Sequence, residues 1–300
     1  MIKARPTAAF SAFSVPSPRM PTPAHPDASP PARKQAGIYA DPLVYDVLHA
    51  EDTARDARVV EKLVRRYVPG ASASPGLRLL EPASGSGRYL LALAKRGHTA
   101  IGIDRDAGML AFAAARAKAL AARSPGLASR VKGIRADMRS FPAPRPACHA
   151  AFNPINSIRH LLSDAAMLAH FAAIGRSLRP GGIYIVGIEL IDRDTQQTTE
   201  DVWSGKRGKL SVHQLISYLT PDLHGGHSRR EQVVSSITVS HAGTPVRQID
   251  STYWLRTYTP AEWFTLLQKA GWATIAQHAS SGAAWSGKPY GYRLCVLRPA

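Results

Sequence analysis

Cysteine is nearly missing from this chain, and the two present, Cys148 and Cys295, sit in apolar, strand-like settings without metal-ligand spacing. That excludes a disulfide framework and reads as two buried thiols in a reducing compartment, the cytoplasm. No apolar run approaches the ~18 residues of a membrane helix, so no membrane partner is expected. The N-terminal stretch has no continuous apolar core of the secretory kind. It is poor in acids and holds Arg5, Arg19 and Arg33, a composition that transit peptides share with plain disorder. His224 and His227 have loop spacing and no third ligand, so no metal site is expected.

Acidic residues are scarce too: 21 Asp and Glu stand against 38 Lys and Arg, a formal charge of +17. Such an excess is the usual footprint of nucleic-acid binding. Here it is spread along the whole chain without a long Lys/Arg run, and a nucleic-acid partner is therefore the lesser reading.

What the chain does have is an alternation. Residues 1–36, rich in Pro, Ala and Ser, show no period and read as a disordered tail, leaving 37–300 as one domain. Asp41 and Pro42 open a helix that carries Tyr45 and Asp46. A second helix runs from about Asp52 to Tyr67 with Val59, Val60, Leu63 and Val64 on one face. Helices over 106–122 and 164–178, the latter with Asp164 as cap, alternate with strands over 131–136, 147–152 and 183–190, which predicts a parallel sheet with right-handed crossovers. Between Trp203 and Tyr258 the helical period vanishes. Three strands, 209–219, 231–240 and 246–257, joined by turn-rich 222–227 and 241–245, predict an antiparallel insertion over 203–258. A helix capped by Thr259 and Glu262 and two strands, 272–278 and 292–297, close the chain.

The alternation is organised around Leu77 to Asp104, which reads as strand, glycine turn, helix and second strand, ending on an acid. A turn of that kind aims free backbone N–H groups at a ligand, and an acid about 20 residues on is where a ribose diol is held. Leu90 stands where a dinucleotide fingerprint needs its third glycine, and Arg88-Tyr89 follows Gly87 where a P-loop needs Lys-Ser/Thr. Glu81 before the turn repels a pyrophosphate and suits a cation. Glu81-Pro-Ala-Ser-Gly-Ser-Gly resembles the first motif of class I S-adenosylmethionine (SAM) methyltransferases.

That resemblance extends from residue 38 to 300. It implies a Rossmann-like sheet with helices on both faces, a seventh antiparallel strand and an insertion after the fifth strand. It implies SAM as cofactor, held by Glu81, Ala83, Ser84, Gly85 and Gly87 of the turn, by Asp104 on the ribose, and by Asp137 and Met138 beside the adenine. Arg105, where the family usually has an aromatic, and Asn153, just after the fourth strand, complete the cofactor-binding set. Ala83 replaces a frequent glycine, on the expectation that this position need not take positive φ. Arg179 to Gly182 matches the turn before the family's fifth strand.

On the acceptor side, Asn153-Pro154-Ile155-Asn156 partly resembles the motif of nucleic-acid amino-methyltransferases, without its second proline and its stacking aromatic. The run Asn156 to Leu161, the Tyr45-Asp46 helix and the insertion resemble the small-molecule subgroup that methylates sugar amines and glycine-like amines. The resemblance implies a small-molecule methyl acceptor, with His160 as base or orienting group and Tyr45 closing over the cofactor's methionine end. Trp203, Arg207, Tyr253 and Arg256 are candidates to line the acceptor pocket. A nucleic-acid methyltransferase and a non-catalytic SAM-binding scaffold are the alternatives, and the edges of the insertion can pair two subunits as a homodimer.

Overall fold

The computed structural model describes residues 37–220, 229–285, 287 and 289–300. The expectations for segment 1–36, the turn 222–227 and His224 and His227 lie outside the described residues.

Two short helices come first, α1 (Pro42–Leu48) and α2 (Thr53–Tyr67). The Asp41 carboxylate accepts from the Leu43 and Val44 amides, the capping that Asp-Pro foretells. The next elements are β1 (Arg78–Pro82), α3 (Arg88–Lys95), β2 (Thr99–Asp104), α4 (Ala107–Ala121), α5 (Leu127–Arg130), β3 (Val131–Arg135) and β4 (Cys148–Asn153). After a 3-10 turn, Ser157–His160, come α6 (Asp164–Ser177) and β5 (Leu178–Leu190). Four strands, β6 (Thr199–Arg207), β7 (Leu210–Leu219), β8 (Arg230–His241) and β9 (Thr244–Arg256), precede α7 (Pro260–Lys269), β10 (Trp272–His278) and β11 (Gly291–Pro299).

The main sheet has seven strands in the order β10-β11-β5-β4-β1-β2-β3, with β11 antiparallel to both its neighbours. This is the Rossmann-like arrangement that the resemblance implies. Strands buried on both faces need apolar residues at successive positions. In β5, Tyr184, Val186, Ile188 and Leu190 enter the core under α6 and α7, while Ile183 and Ile185 enter the core under α2 and α3. The strand order reverses beside β1, so the carboxyl ends of β1, β4 and β2 open a crevice there, where ligands of such sheets bind.

The structure departs from the sequence reading chiefly at α6, at β5 and in the insertion, which begins at Thr199 and not at 203. Ser163, not Asp164, caps α6: its hydroxyl accepts from the Ala166 amide, and Asp164 sits in the first turn, held 2.5 Å from Arg256. β5 begins at Leu178 because Leu178 pairs with Cys148 across a bulge, which absorbs the Arg179–Gly182 turn into the strand. The insertion has four strands rather than three. β6 was missed because its sequence, TEDVWSGKR, has no apolar alternation; only Trp203 and Gly205 are less than fully exposed along it.

The four-stranded sheet β6-β7-β8-β9 is separate from the main sheet. Its inner face carries Val212, Ile237 and Val239, which pack with Val44, Val47 and Leu48 of α1. Gly205 lets β6 run against α1: a Cβ there would overlap the Val47 carbonyl, which is backbone and cannot step aside. Gly205→Ala is therefore expected to cost about 1–3 kcal/mol, as overpacking does, read as a lower urea midpoint; an unchanged midpoint would show that α1 is free to shift.

Candidate active site

The turn after β1 is built from left-handed residues: Ala83 at φ 54°, Gly85 at 52° and Gly87 at 70°. Ala83 thus does take positive φ, contrary to expectation. The Ser84 amide donates to the Ile103 carbonyl at 3.0 Å, which draws the chain back onto β2 and fixes that conformation despite the Cβ penalty. A side chain at Gly87 would meet Ala113 of α4 at 2.6 Å, so this glycine sets how closely α4 packs.

Asp104 ends β2 beside this turn. One carboxylate oxygen accepts the Gly85 amide at 2.7 Å and the other accepts the Asp106 amide at 2.9 Å. Burial raises its pKa, and the two amides oppose that. Glu81 is buried, and desolvation lifts its carboxyl well above the usual range, with Arg88 opposing and Asp104 adding. Its Oε2, the Ser84 hydroxyl and the Asn153 Oδ1 are buried without a partner. The Asn153 amide group donates to the Pro82 carbonyl at 2.9 Å, joining β4 to β1. Buried polar atoms that lack partners mark a place where a ligand supplies them. A cationic amino-acid head fits that need, and an anionic pyrophosphate does not.

Tyr45 of α1 covers the turn. Its Cε1 would be 3.2 Å from a Cβ at Gly85, and burial raises its pKa, with Arg88 opposing and Glu81 and Asp104 adding. Its neighbour Asp46, only 1% exposed, accepts from the Ser86 hydroxyl at 2.8 Å and pairs with Arg116 of α4 and Arg207 of β6. One carboxylate thus ties α1, the glycine turn, the main domain and the insertion together. Asp46→Ala leaves the Ser86 hydroxyl and two arginines without it. The expected loss is about 2 kcal/mol, below the full penalty of a broken buried pair because both arginines can turn to solvent. Thermal unfolding checks this; an unchanged midpoint would remove the tie.

On the far side of the crevice, Asp137 is bound by its neighbour Arg139 at 2.8 Å, which lowers its pKa. Met138 follows, its carbonyl 2.8 Å from the His170 Nδ1. Arg105 is exposed at the mouth.

His160 ends the 3-10 turn after β4. Its Nε2 lies 3.2 Å from the Tyr39 hydroxyl, and its ring stacks on Tyr253 with centroids 5.5 Å apart. Burial, then the charges of Arg105 and Arg159, lower its pKa to about 4, so the imidazole is neutral at ordinary pH. Tyr39 in turn lies 5.8 Å from Tyr45, ring to ring. The structure therefore brings Tyr45, His160 and Tyr253 together through Tyr39, which the sequence reading passed over. Trp203 joins from the side through His49. Arg207 and Arg256 are instead spent on Asp46 and Asp164.

Two further features had escaped notice. Glu189, next to last in β5, has its carboxyl raised by burial, with Arg159 opposing and Glu231 and Asp201 adding. An acid ending an apolar strand is the same signal that marked Asp104. Arg159 and Glu231 form a buried ion pair between the 3-10 turn and β8, and Arg159 also donates to the Arg256 carbonyl at 2.8 Å. No local pattern announces that pair, since its partners are far apart in the chain. Among the described residues, no group of His, Cys, Asp or Glu could hold a metal ion, and no helix is long and apolar enough to cross a membrane.

Comparison with known proteins places this geometry. Residues 79–182 match the family model described as "Methyltransferase domain". No curated protein matches the chain. Among solved structures, DesVI from Streptomyces venezuelae aligns with a TM-score of 0.65 at 22% identity, over 87% of this chain and 98% of that one. KedS8 from Streptoalloteichus, a sugar N-methyltransferase, aligns with a TM-score of 0.61 at 18% identity, over 95% and 99%. SAM-bound CalS10 from Micromonospora echinaspora, an amino pentose methyltransferase, gives 0.60 at 20% identity over 84% and 96%. Likeness at these identities shows a shared fold.

Proposed function

We propose that this chain is a class I SAM-dependent methyltransferase that methylates an amino nitrogen of a small polar acceptor; the methyltransferase-domain match over residues 79–182 and the shared fold support this. When bound, SAM supplies a methyl group activated by its sulfonium; the rest of the chemistry falls to the protein. The residues that fit it are Glu81, Ser84 and Asn153 around the amino-acid head, Asp104 at the ribose, and Asp137 and Met138 at the adenine.

The observation that carries the choice of nitrogen is His160. Its ring, buried between Tyr39 and Tyr253 and kept neutral at ordinary pH, can accept a hydrogen bond from a neutral amine and orient its lone pair. Tyr39 and Tyr253, both raised in pKa by burial, stay phenols and wall the pocket. The Glu189 carboxyl adds an acidic group that suits an amine or sugar hydroxyls. Tyr45 and α1 close over the turn, which aligns acceptor and donor and keeps water out. The amino sugars that KedS8 and CalS10 are named for are acceptors of this chemical class.

A nucleic-acid acceptor gains no support. Arg65, Arg96, Arg116, Arg159, Arg207 and Arg256 are engaged with carboxylates of the chain itself. The free, buried Cys148 and Cys295 suit the cytoplasm. A homodimer would form on the outer face of the insertion, where Val202 and Leu215, opposed across β6 and β7, are exposed with Val234.

The test is methyl transfer from labelled SAM to a panel of amino sugars, their hydroxyl isosteres, small amines and RNA. Label on an amino nitrogen is expected. Label on the hydroxyl isosteres or on RNA alone would refute the proposal.

A further inference from the structure

His170 belongs to no motif and touches none of the acceptor-side residues. It lies on α6, wholly buried, with both ring nitrogens engaged. Nδ1 is 2.8 Å from the Met138 carbonyl and Nε2 is 2.9 Å from the Tyr184 hydroxyl of β5. A carbonyl only accepts, so Nδ1 carries the proton, and Nε2 accepts from the Tyr184 hydroxyl. The tautomer is thus fixed by its two partners. Burial lowers the pKa to about 4, so the ring stays neutral and the relay keeps its polarity at ordinary pH.

Its upper end is the turn Asp137–Ser140. The Asp137 carboxylate accepts the Arg139 amide at 2.8 Å, and the Ser140 amide donates to the Asp137 carbonyl at 2.9 Å. Those bonds shape the turn from within but do not fasten it to the domain. The bond from His170 does, through the Met138 carbonyl. Tyr184 packs with Phe171 and Trp272 in the core, so the lower end is fixed.

We infer that His170 is a positioning residue for the adenine end of SAM: anchored by Tyr184, it holds the Met138 peptide so that Asp137 and Met138 present a preformed edge. This rests on the reading of Asp137 and Met138 as the adenine-binding pair. A ligand edge that must be ordered on binding weakens affinity by the cost of that ordering. The effect therefore falls on binding and spares the methyl-transfer step.

Calorimetric titration with SAM and with adenosine tests it on the full chain. His170→Leu keeps the bulk and loses both bonds; SAM and adenosine should each bind about tenfold more weakly, the worth of one good hydrogen bond. His170→Asn places an amide N–H where Nδ1 stands and should restore affinity to within about twofold. His170→Gln reaches Tyr184 instead and should resemble the leucine variant. A packing role would treat Asn and Gln alike, so equal losses in those two variants overturn the inference, as does normal affinity in His170→Leu. If the leucine variant does not fold, the Asn and Gln pair decides. Tyr184→Phe, which keeps the ring and frees the imidazole, should weaken SAM by a smaller factor. Wild-type protein that binds no SAM would sink the adenine reading and this inference with it; wild-type binding with unaltered variants would sink the inference alone.

Discussion

His160→Ala is expected to lower kcat about 10²-fold, the scale on which a positioned acid–base or orienting group acts. The ring bonds Tyr39 and stacks on Tyr253, and it follows the strand whose carboxyl end borders the glycine turn. Affinity for SAM should be unchanged, because none of the turn's partners is touched. The pH dependence carries the sign of the pKa shift. With the imidazole held down to about 4, its neutral form is fully present above that value and lost only as the pH falls through it. The ratio of wild-type to variant kcat should therefore stay flat from about pH 8 to about pH 6, across the range where an ordinary histidine titrates. A ratio that falls on acidification near pH 6.5 would mean a more exposed, ordinary imidazole. A variant turning over at the wild-type rate would remove His160 from the chemistry.

Asp104→Ala is expected to raise the Kd for SAM about 10²-fold or more, since hydrogen bonds to a charged group are worth about 1.5–3 kcal/mol each. Two losses act together. In the proposed site the carboxylate no longer meets the ribose hydroxyls, and the Gly85 amide loses its acceptor. Asp104→Asn keeps one acceptor and should fall between. Burial raises the Asp104 pKa, so wild-type affinity for SAM should begin to weaken, on acidification, above the pH at which an exposed aspartate protonates. Equilibrium dialysis with labelled SAM measures both; equal affinity in the alanine variant would separate Asp104 from the ribose.

The sheet was legible because its signals are local. Leu79 and Leu80 before a glycine turn, and Ile101 and Ile103 before Asp104, each declare a buried strand within a few residues. The turn proposed for the cofactor stands out for the same reason: Glu81, Gly85, Gly87 and Asp104 lie on one strand–turn–helix–strand unit. On the proposed acceptor side the sequence offers His160 and Tyr253 singly, but not their meeting or Tyr39. Tyr39, His160 and Tyr253 come from three distant segments, and only the fold of the insertion over α1 brings them together. β6 escaped because a strand whose residues face solvent has no apolar alternation to show. Ala83 was misread because sequence gives the identity of a residue and not the strain that a neighbouring hydrogen bond imposes on it. His170 belongs to no local pattern; its two partners, Met138 and Tyr184, are set by tertiary packing alone.

The central claim is that the turn from Glu81 to Gly87, with Asp104, is a cradle for a cationic nucleoside and not for a pyrophosphate. Titration of the wild-type protein with SAM and, separately, with NAD tests it most directly. Saturable one-site binding of SAM with no detectable binding of NAD is the predicted result. Failure to bind SAM, or tighter binding of NAD, would contradict it.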